Sequence, residues 1–360
     1  MTATRREFRY RPRGPYSLAA TASRFKRFPE AVDRFDGDAY GRLLPIGRGG
    51  VRIEVRQAGP PGRPGLRVLL EGAGARTDAA TSAALRVVEI GLGAGLDVRP
   101  FYRIFRTDPL LAASLRHSRG LRIAGAPSLW EAIVTAVLSQ QVNLAFAYDV
   151  RRELALAYGR RARFEGESWV AFPTPERIAR ERVSTLRRFR LSRAKAKTLA
   201  RVSRAFAAGA LSEAEVARLP DEDAIALLTR IPGIGRWTAE IAMLRGFGRP
   251  DVFPGGDLGV VKYLATELLG HRSRVAEETM RRFAERWRPY RGLALAYAYA
   301  EIARRREEAG SLARSKRPPA REARPLSGAR SRRRPPTGTV RPAAPGGASP
   351  PAASRRAASR

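Results

Sequence analysis

Residues 228 to 239 read Leu228-Thr229-Arg230-Ile231-Pro232-Gly233-Ile234-Gly235-Arg236-Trp237-Thr238-Ala239. The apolar positions before Arg230 predict a helix that ends there, and a second helix is expected to begin near Arg236 after the Pro-Gly-Ile-Gly turn. Glycines let the backbone approach a bound group closely, and the free N–H groups of a helix start attract a phosphate. The alternative interpretation is an ordinary helical hairpin closed by a glycine turn.

The charge of the chain favours the phosphate-binding interpretation. The 360 residues include 68 Lys and Arg against 34 Asp and Glu, a formal net charge of +34, which predicts a polyanionic partner such as nucleic acid. A membrane surface is the weaker candidate, because no apolar run reaches the roughly 18 residues that a spanning helix needs. The basic residues 5–13 are not followed by an apolar segment of signal-peptide type, so a cytoplasmic location is expected.

The composition also excludes several kinds of metal and cofactor site. The chain has no cysteine and two histidines, His117 and His271, which excludes disulfides, thiolate chemistry, cysteine zinc sites and iron–sulfur clusters. Each histidine is interpreted as a surface or packing residue. The glycine-rich turn joins two helices rather than following a strand, so no nucleotide cofactor is expected.

The N-terminal part is predicted to be a small α+β domain, residues 1–112. Residues 51–55 and 66–70 alternate apolar and polar side chains, as half-buried strands do. Asp78 is predicted to be the N-cap of a helix whose apolar positions include Leu85, Val88 and Ile90.

Residues 113–310 are predicted to form an all-α domain, and residues 311–360 a disordered tail. An apolar stripe at helical spacing runs through residues 129–138, and two amides, Gln140 and Gln141, then interrupt it. Residues 186–206 place Arg and Lys among apolar positions, which predicts either a solvated helix face or part of a phosphate-facing surface. The tail carries 13 Arg and Lys against a single Glu and is expected either to add salt-sensitive DNA affinity or to act as an inert solubilising extension.

Residues 231–239, together with residues 251–253 and Asp257, resemble the helix-hairpin-helix DNA glycosylase superfamily, specifically bacterial 3-methyladenine DNA glycosylase II. The resemblance covers about residues 15–305 and is strongest over 128–142 and 227–299. It implies an N-terminal domain with a sheet like that of the TATA-box-binding protein. The first strand of that sheet would begin at Pro15-Tyr16-Ser17-Leu18.

The resemblance also implies roles for the residues of an active site. Asp257 matches the carboxylate that stabilises positive charge on the sugar or orients the attacking water, although it could simply cap the next helix. Trp237 stands where bifunctional members have a lysine nucleophile, which implies a monofunctional enzyme that uses water and leaves an abasic site. Trp237 and Tyr299 match walls of the base pocket, with simple helix packing as the alternative for Tyr299. Leu258 replaces a frequent aromatic residue, so the shape of the pocket is expected to differ.

DNA contacts are implied at the glutamine pair and at the hairpin. Gln141, next to Gln140, matches the side chain that fills the gap left by a flipped base, with a structural helix kink as the alternative. The hairpin residues implied to contact DNA are Gly233, Ile234, Gly235, Arg236 and Thr238. Similar hairpins hold a monovalent cation through backbone carbonyls, here those of Thr229, Ile231 and Ile234, and no other cofactor is implied.

The leading hypothesis is a monomeric glycosylase that flips out and hydrolytically excises alkylated bases, of the 3-methyladenine type, from duplex DNA in base excision repair. It would act in the bacterial cytoplasm, associated with the nucleoid through DNA binding. Two alternatives stay open. One is a helix-hairpin-helix glycosylase for another lesion, such as uracil, hypoxanthine or an oxidised base, and the other is a non-catalytic helix-hairpin-helix DNA-binding protein.

Overall fold

An antiparallel sheet near the N-terminus is followed by a long series of helices in the computed structural model, which describes residues 4–27 and 31–315. The first elements are β1 (Arg5–Tyr10), α1 (Leu18–Arg27), β2 (Arg34–Phe35), β3 (Ala39–Leu44), β4 (Val51–Ala58) and β5 (Gly65–Glu71). The strands pair in the order β1-β5-β4-β3-β2, and every pairing is antiparallel. Ile53, Val55, Val68 and Leu70 are buried at alternate positions, so the predicted strands at 51–55 and 66–70 are confirmed.

Two predictions about this N-terminal part are wrong. Leu18 does not lie at the start of the first strand, because β1 precedes it and Leu18 begins α1. Leu18, Ala22 and Phe25 are buried together with the sheet residues at helical spacing. The N-cap of the next helix, α2 (Asp78–Arg86), is Thr77 rather than Asp78, since the Thr77 hydroxyl accepts the Ala80 N–H at 3.2 Å. A π-helical turn, Val87–Gly91, continues α2.

The rest of the described chain is mostly helical. The helices are α3 (Arg99–Phe105), α4 (Ala112–His117), α5 (Leu129–Ser139), α6 (Leu144–Tyr158), α7 (Pro175–Ala179), α8 (Val183–Arg187), α9 (Arg193–Ala207), α10 (Glu213–Arg218), α11 (Asp221–Thr229), α12 (Arg236–Gly246), the π-helix Gly259–Leu268, α13 (Glu277–Ala284), a 3₁₀ turn at Glu285–Trp287 and α14 (Arg291–Ser315). None of the helices within residues 4–27 and 31–315 combines the length and hydropathy needed to cross a bilayer. Helix α14 passes the boundary predicted at residue 310, and residues 316–360 of the predicted disordered tail lie outside the described residues.

A two-stranded ribbon interrupts the region predicted to be all helical. Its strands, β6 (Arg161–Phe164) and β7 (Glu167–Val170), pair with each other between α6 and α7. Trp169 of the ribbon packs in one apolar cluster with Leu43 of β3. A Cβ at Gly41 would lie 2.8 Å from the Trp169 ring. The ribbon therefore packs on the sheet at Gly41, where the sheet has no side chain. This packing on a distant element stabilises the ribbon, which is why the local pattern did not predict it.

A buried group of charges joins the sheet to the helices. Arg42 of β3 donates to Glu131 of α5 at 2.8 Å and to Asp33 at 3.1 Å. Arg151 of α6 pairs with the same two carboxylates. All four side chains are about 5% exposed or less, and burial raises the pKa of Glu131 to about 7. Because α5 leads into the glutamine pair, this buried ion group fixes the sheet to the helix that carries those side chains.

Candidate active site

The hairpin predicted from residues 228–239 is present between α11 and α12. Pro232, Gly233 and Gly235 are exposed at its corner, whereas Ile234 is 3% exposed and packs in the helical core. The Ile234 N–H donates to the Ile231 carbonyl at 2.9 Å, which closes the turn. Gly235 is the N-cap of α12 and has no side chain to cover the first N–H groups of that helix. The corner therefore presents backbone amides to solvent, and Ile234 anchors it.

The two glycines of the corner have different structural requirements. Gly233 has φ +99°, and a Cβ there would collide with the Thr198 side chain of α9, lying 2.9 Å from the Thr198 Cβ. Gly235 has φ −86°, and a Cβ there would meet nothing within 4 Å. Gly233 is therefore needed for both backbone conformation and packing, while Gly235 leaves open space in front of α12.

The glutamine pair lies beside this corner, and its two members differ in role. Gln140 Nε2 donates to the Gly233 carbonyl and to the buried Thr238 hydroxyl, both at 3.0 Å. Gln141 has φ +53° and an exposed side chain. A glutamine in the left-handed region is held in a strained conformation by its surroundings. Gln140 therefore ties the end of α5 to the hairpin, and Gln141 extends outward from the same turn.

Asp257 is held in place by α12 on one side and by the start of the next helix on the other. The Trp237 Nε1–H donates to Asp257 Oδ2 at 2.9 Å, and the Gly259 N–H donates to Oδ1 at 2.8 Å. The Tyr299 hydroxyl donates weakly to Oδ1 at 3.4 Å. Asp257 and Trp237 are half-buried. The structure thus brings Asp257, Trp237 and Tyr299 together, and Asp257 also caps the π-helix.

Two neighbours complete the electrostatic surroundings of this carboxylate. Burial, followed by the negative charge of Asp257, raises the pKa of Tyr299 well above its ordinary range, so the phenol remains a neutral donor. Arg245 of α12 is half-buried and donates to the Ala124 carbonyl at 2.8 Å. Burial lowers the pKa of Arg245, and the charge of Asp257 opposes that shift. Arg245 was missed by sequence reasoning, since an arginine in the last turn of a helix gives no distinctive signal.

Comparisons with known proteins place this arrangement in a family. Residues 134–289 match the profile described as "HhH-GPD superfamily base excision DNA repair protein". This segment, somewhat less than half of the chain, is similar to the HhH-GPD superfamily. The match includes the hairpin, the glutamine pair and Asp257, so the predicted resemblance to helix-hairpin-helix glycosylases is confirmed.

Two curated relatives of this chain are named for one activity. A DNA-3-methyladenine glycosylase of Bacillus subtilis is 36% identical over 165 residues, 46% of this chain and 54% of that protein. DNA-3-methyladenine glycosylase 2 of Escherichia coli is 32% identical over 180 residues, 50% of this chain and 60% of that protein. The chain thus spans little more than half the length of these relatives.

Solved structures share the fold over most of this chain. A 3-methyladenine DNA glycosylase from Archaeoglobus fulgidus has a TM-score of 0.70 at 23% identity and covers 82% of this chain and 98% of its own. An 8-oxoguanine glycosylase/lyase from Clostridium acetobutylicum has a TM-score of 0.63 at 17% identity and covers 83% of this chain and 98% of its own. The fold is therefore shared by proteins named for different lesions, and the side chains must distinguish the chemistry.

The mouth of the HhH-GPD site carries an aliphatic residue. Leu258 follows Asp257 directly and is 56% exposed. Gly259 comes next, and a Cβ there would collide with the Tyr299 hydroxyl and lie 2.8 Å from Asp257 Oδ1. Sequence reasoning missed Gly259, because its requirement depends on Tyr299, a residue 40 positions away.

Arg236, predicted to contact DNA, is already engaged within the HhH-GPD segment. Its guanidinium donates to Glu222 at 2.8 Å and to Glu240 at 2.9 Å. Glu240 is 1% exposed and also pairs with Arg281; burial raises its pKa. These side chains line a cleft of about 110 Å³ that also includes Phe253. The Arg236 side chain thus braces α12, and a phosphate at this position would meet the backbone amides first.

The possible cation site of the hairpin stays a prediction. The Ile231 carbonyl already accepts the Ile234 N–H at 2.9 Å, and a carbonyl oxygen keeps a second lone pair for another partner. Within the residues that the structure describes, no group of three or more His, Asp or Glu side chains is suited to a metal ion.

Proposed function

We propose that this protein is a monofunctional DNA glycosylase that excises alkylated bases, of the 3-methyladenine type, from duplex DNA. The observation that carries the proposal is the half-buried carboxylate of Asp257, oriented by Trp237 and by the Gly259 N–H. A fixed negative charge is what a glycosidic transition state with positive charge on the sugar requires. The similarity to two proteins named DNA-3-methyladenine glycosylase supports the choice of substrate class.

In this proposal the duplex is bound through the exposed hairpin. The uncovered N–H groups at the start of α12 bind a backbone phosphate, a contact that needs no particular base. Gln141, exposed and held at φ +53°, enters the gap that the flipped nucleotide leaves. Gln140 bonds to Gly233 and Thr238, so the inserted side chain and the phosphate site are held at a fixed separation.

Chemistry follows once the damaged nucleotide has left the stack. Trp237 and Tyr299 border the carboxylate, and an electron-poor alkylated base is attracted to aromatic faces as cations are. The bond from C1′ to the base nitrogen breaks with its electron pair moving to the base, which neutralises the positive charge of the alkylated ring. Water then adds its oxygen to C1′ and releases one proton to solvent. Asp257 remains an anion throughout and stabilises the positive charge on the sugar.

The residue at position 237 determines the product. An indole is not a nucleophile toward C1′, so no covalent bond between enzyme and sugar forms and the strand stays intact over an abasic site. The proposal also includes a monomeric enzyme in the bacterial cytoplasm, with a monovalent cation on the carbonyls of Thr229, Ile231 and Ile234. It further includes an N-terminal α+β domain, residues 1–112, with a sheet of TATA-box-binding-protein type, followed by a helical domain, residues 113–310.

Base release from defined duplexes tests the proposal. Duplexes with a methylated purine, uracil, hypoxanthine or an oxidised purine are compared, using the full chain, Asp257→Asn and the control Asp223→Asn. Asp223 is exposed on α11 and has no side-chain partner among the described residues. We expect release of the methylated base by the wild type and by Asp223→Asn. Asp257→Asn should lose that release while still binding an abasic duplex.

Three results would overturn parts of this proposal. Binding without base release from any duplex would support a non-catalytic DNA-binding protein. Preferred release of uracil, hypoxanthine or the oxidised base would change the substrate class. Strand cleavage without added base or endonuclease would contradict the role assigned to Trp237.

A further inference from the structure

One segment next to the hairpin contains many basic residues and no acidic residue of its own. Residues 187–204 contain eight Arg and Lys and no Asp or Glu. Arg190 of this segment is paired with Asp149 and Glu153 of α6, as Arg249 elsewhere is paired with Asp221, whereas the basic residues on the outer face of α9 have no such partner among the described residues. A run of uncompensated cations repels itself, so it lowers stability unless a polyanion covers it.

Four of the five basic residues of α9 lie along one line of the helix. We call Arg193, Lys197, Arg201 and Arg204 the α9 stripe; they are spaced i, i+4, i+8 and i+11, and all four are exposed. The buried positions of α9 include Ala196, Leu199 and Val202, which pack in the helical core. Within the described residues, no member of the α9 stripe pairs with a carboxylate. Helix geometry separates the first three members by about 6 Å each along the axis.

Helix α9 contacts both parts of the proposed DNA-binding surface. Thr198 packs against Gly233, and Arg201 Nη1 donates to the Pro232 carbonyl at 3.4 Å. On another side of the helix, Lys195 Nζ donates to the Leu138 carbonyl at 2.9 Å, near the end of α5. The α9 stripe therefore borders the hairpin corner through Arg201, and α9 contacts both that corner and the end of α5.

We propose that the α9 stripe binds the phosphate backbone of the duplex that flanks the hairpin site. Four flexible cations in a row match a polyanion without reading its sequence, because phosphates are the same at every base pair. The stripe extends the contact beyond the hairpin amides, which can hold only a phosphate or two. This inference rests on the proposed function only in taking duplex DNA as the partner.

The salt dependence of binding to an undamaged duplex tests this proposal. The variant combines Arg193→Gln, Lys197→Gln and Arg204→Gln and keeps Arg201, because Arg201 also bonds to the hairpin. Each lost phosphate contact reduces the slope of log K against log salt by roughly 0.9, so we expect the slope to fall by about 2 to 3. Circular dichroism and thermal unfolding establish that the variant is folded.

A second triple variant controls for the loss of charge alone. Arg9→Gln, Arg48→Gln and Arg63→Gln remove the same charge from exposed positions of the N-terminal sheet region that have no side-chain partner among the described residues. This control should change the slope by less than about 1. A wild-type slope in the α9 variant, or an equal fall in both variants, would overturn the proposal. Because an undamaged duplex needs no base release, this result is independent of the glycosylase test.

Discussion

Replacing Trp237 with phenylalanine removes one hydrogen-bond donor from Asp257 and keeps an aromatic ring in the wall of the proposed base pocket. The indole N–H donates to Oδ2 at 2.9 Å, and this oxygen has no other hydrogen bond within the described residues. Oδ1 keeps the Gly259 N–H at 2.8 Å. In Trp237→Phe the carboxylate should therefore keep its hydrogen bond through Oδ1 only, so that the position of Oδ2 is no longer fixed.

The size of the effect follows from the hydrogen bond that is lost. A hydrogen bond to a charged group contributes about 1.5 to 3 kcal/mol. The proposed mechanism uses the oriented carboxylate at the transition state, so this free energy is added to the barrier. The rate of base release should then fall roughly 10- to 150-fold.

Single-turnover release of a methylated purine, with enzyme in excess, measures this change, and abasic-duplex affinity is measured beside it. Tyr299→Phe is the matched comparison, because its hydroxyl lies 3.4 Å from Oδ1 and such a long contact is weak, so its loss should stay under about tenfold. The reasoning is refuted by a wild-type rate in Trp237→Phe. A loss confined to abasic-duplex affinity, or a greater loss in Tyr299→Phe, would refute it equally.

Three further predictions concern the hairpin, the glutamine pair and the buried ion group. Gly233→Ala should weaken binding to an undamaged duplex in fluorescence anisotropy, because φ is +99° and Thr198 occupies the space, whereas the control Gly62→Ala, at an exposed position where a Cβ meets nothing within 4 Å, should bind like the wild type; equal effects would contradict this. Gln141→Gly accepts φ +53° without strain but removes the side chain proposed to enter the duplex. The fluorescence of a 2-aminopurine beside the lesion, which rises when the neighbouring bases unstack, should therefore rise less when this variant binds. An unchanged rise would argue against insertion of Gln141. The raised pKa of Glu131, about 7 when folded against an ordinary 4.5, means that the folded state holds a proton which the unfolded chain releases between these values. Protonated Glu131 therefore contributes fully to the free energy of unfolding below about pH 4.5, and this contribution is lost as the pH rises through 7. The midpoint of urea unfolding should fall over this pH range in the wild type and fall less in Glu131→Gln. An unaltered pH profile in the variant would disprove the prediction.

Features set by nearby residues could be predicted from the sequence. In β4 and β5 buried and less buried side chains alternate, and α5 carries an apolar stripe. Each pattern follows from the spacing of side chains that face the apolar cluster of that element. Thr174 caps α7 locally, since its hydroxyl accepts the Arg177 N–H at 3.4 Å. The hairpin corner is set by Pro232 and its glycines, and local backbone preference is enough to specify it.

Features set by distant residues could not be predicted. Gln140 donates a hydrogen bond to the Gly233 carbonyl, 93 positions later. The residues around Gln140 therefore do not indicate that it connects α5 to the hairpin. Arg236 bonds to Glu222 of α11 while its side chain stays exposed, because α11 and α12 pack side by side and bring that carboxylate within reach. The exposed Gln141 is different, since the resemblance implied the role proposed for it and the structure adds its backbone conformation, with φ +53°.

Asp257 has two interpretations, helix capping and catalysis, and each involves a different oxygen of its carboxylate. Oδ1 accepts the Gly259 N–H and so fixes the start of the π-helix, while Oδ2 is oriented by Trp237 from α12. The positive end of a helix favours an anion at its start, so the cap keeps the charge in place rather than consuming it. A half-buried carboxylate held from two helices is preorganised, because it needs no reorientation when positive charge forms on the sugar. The capping bond is thus part of what would make Asp257 effective, and for this reason the same residue can serve both roles.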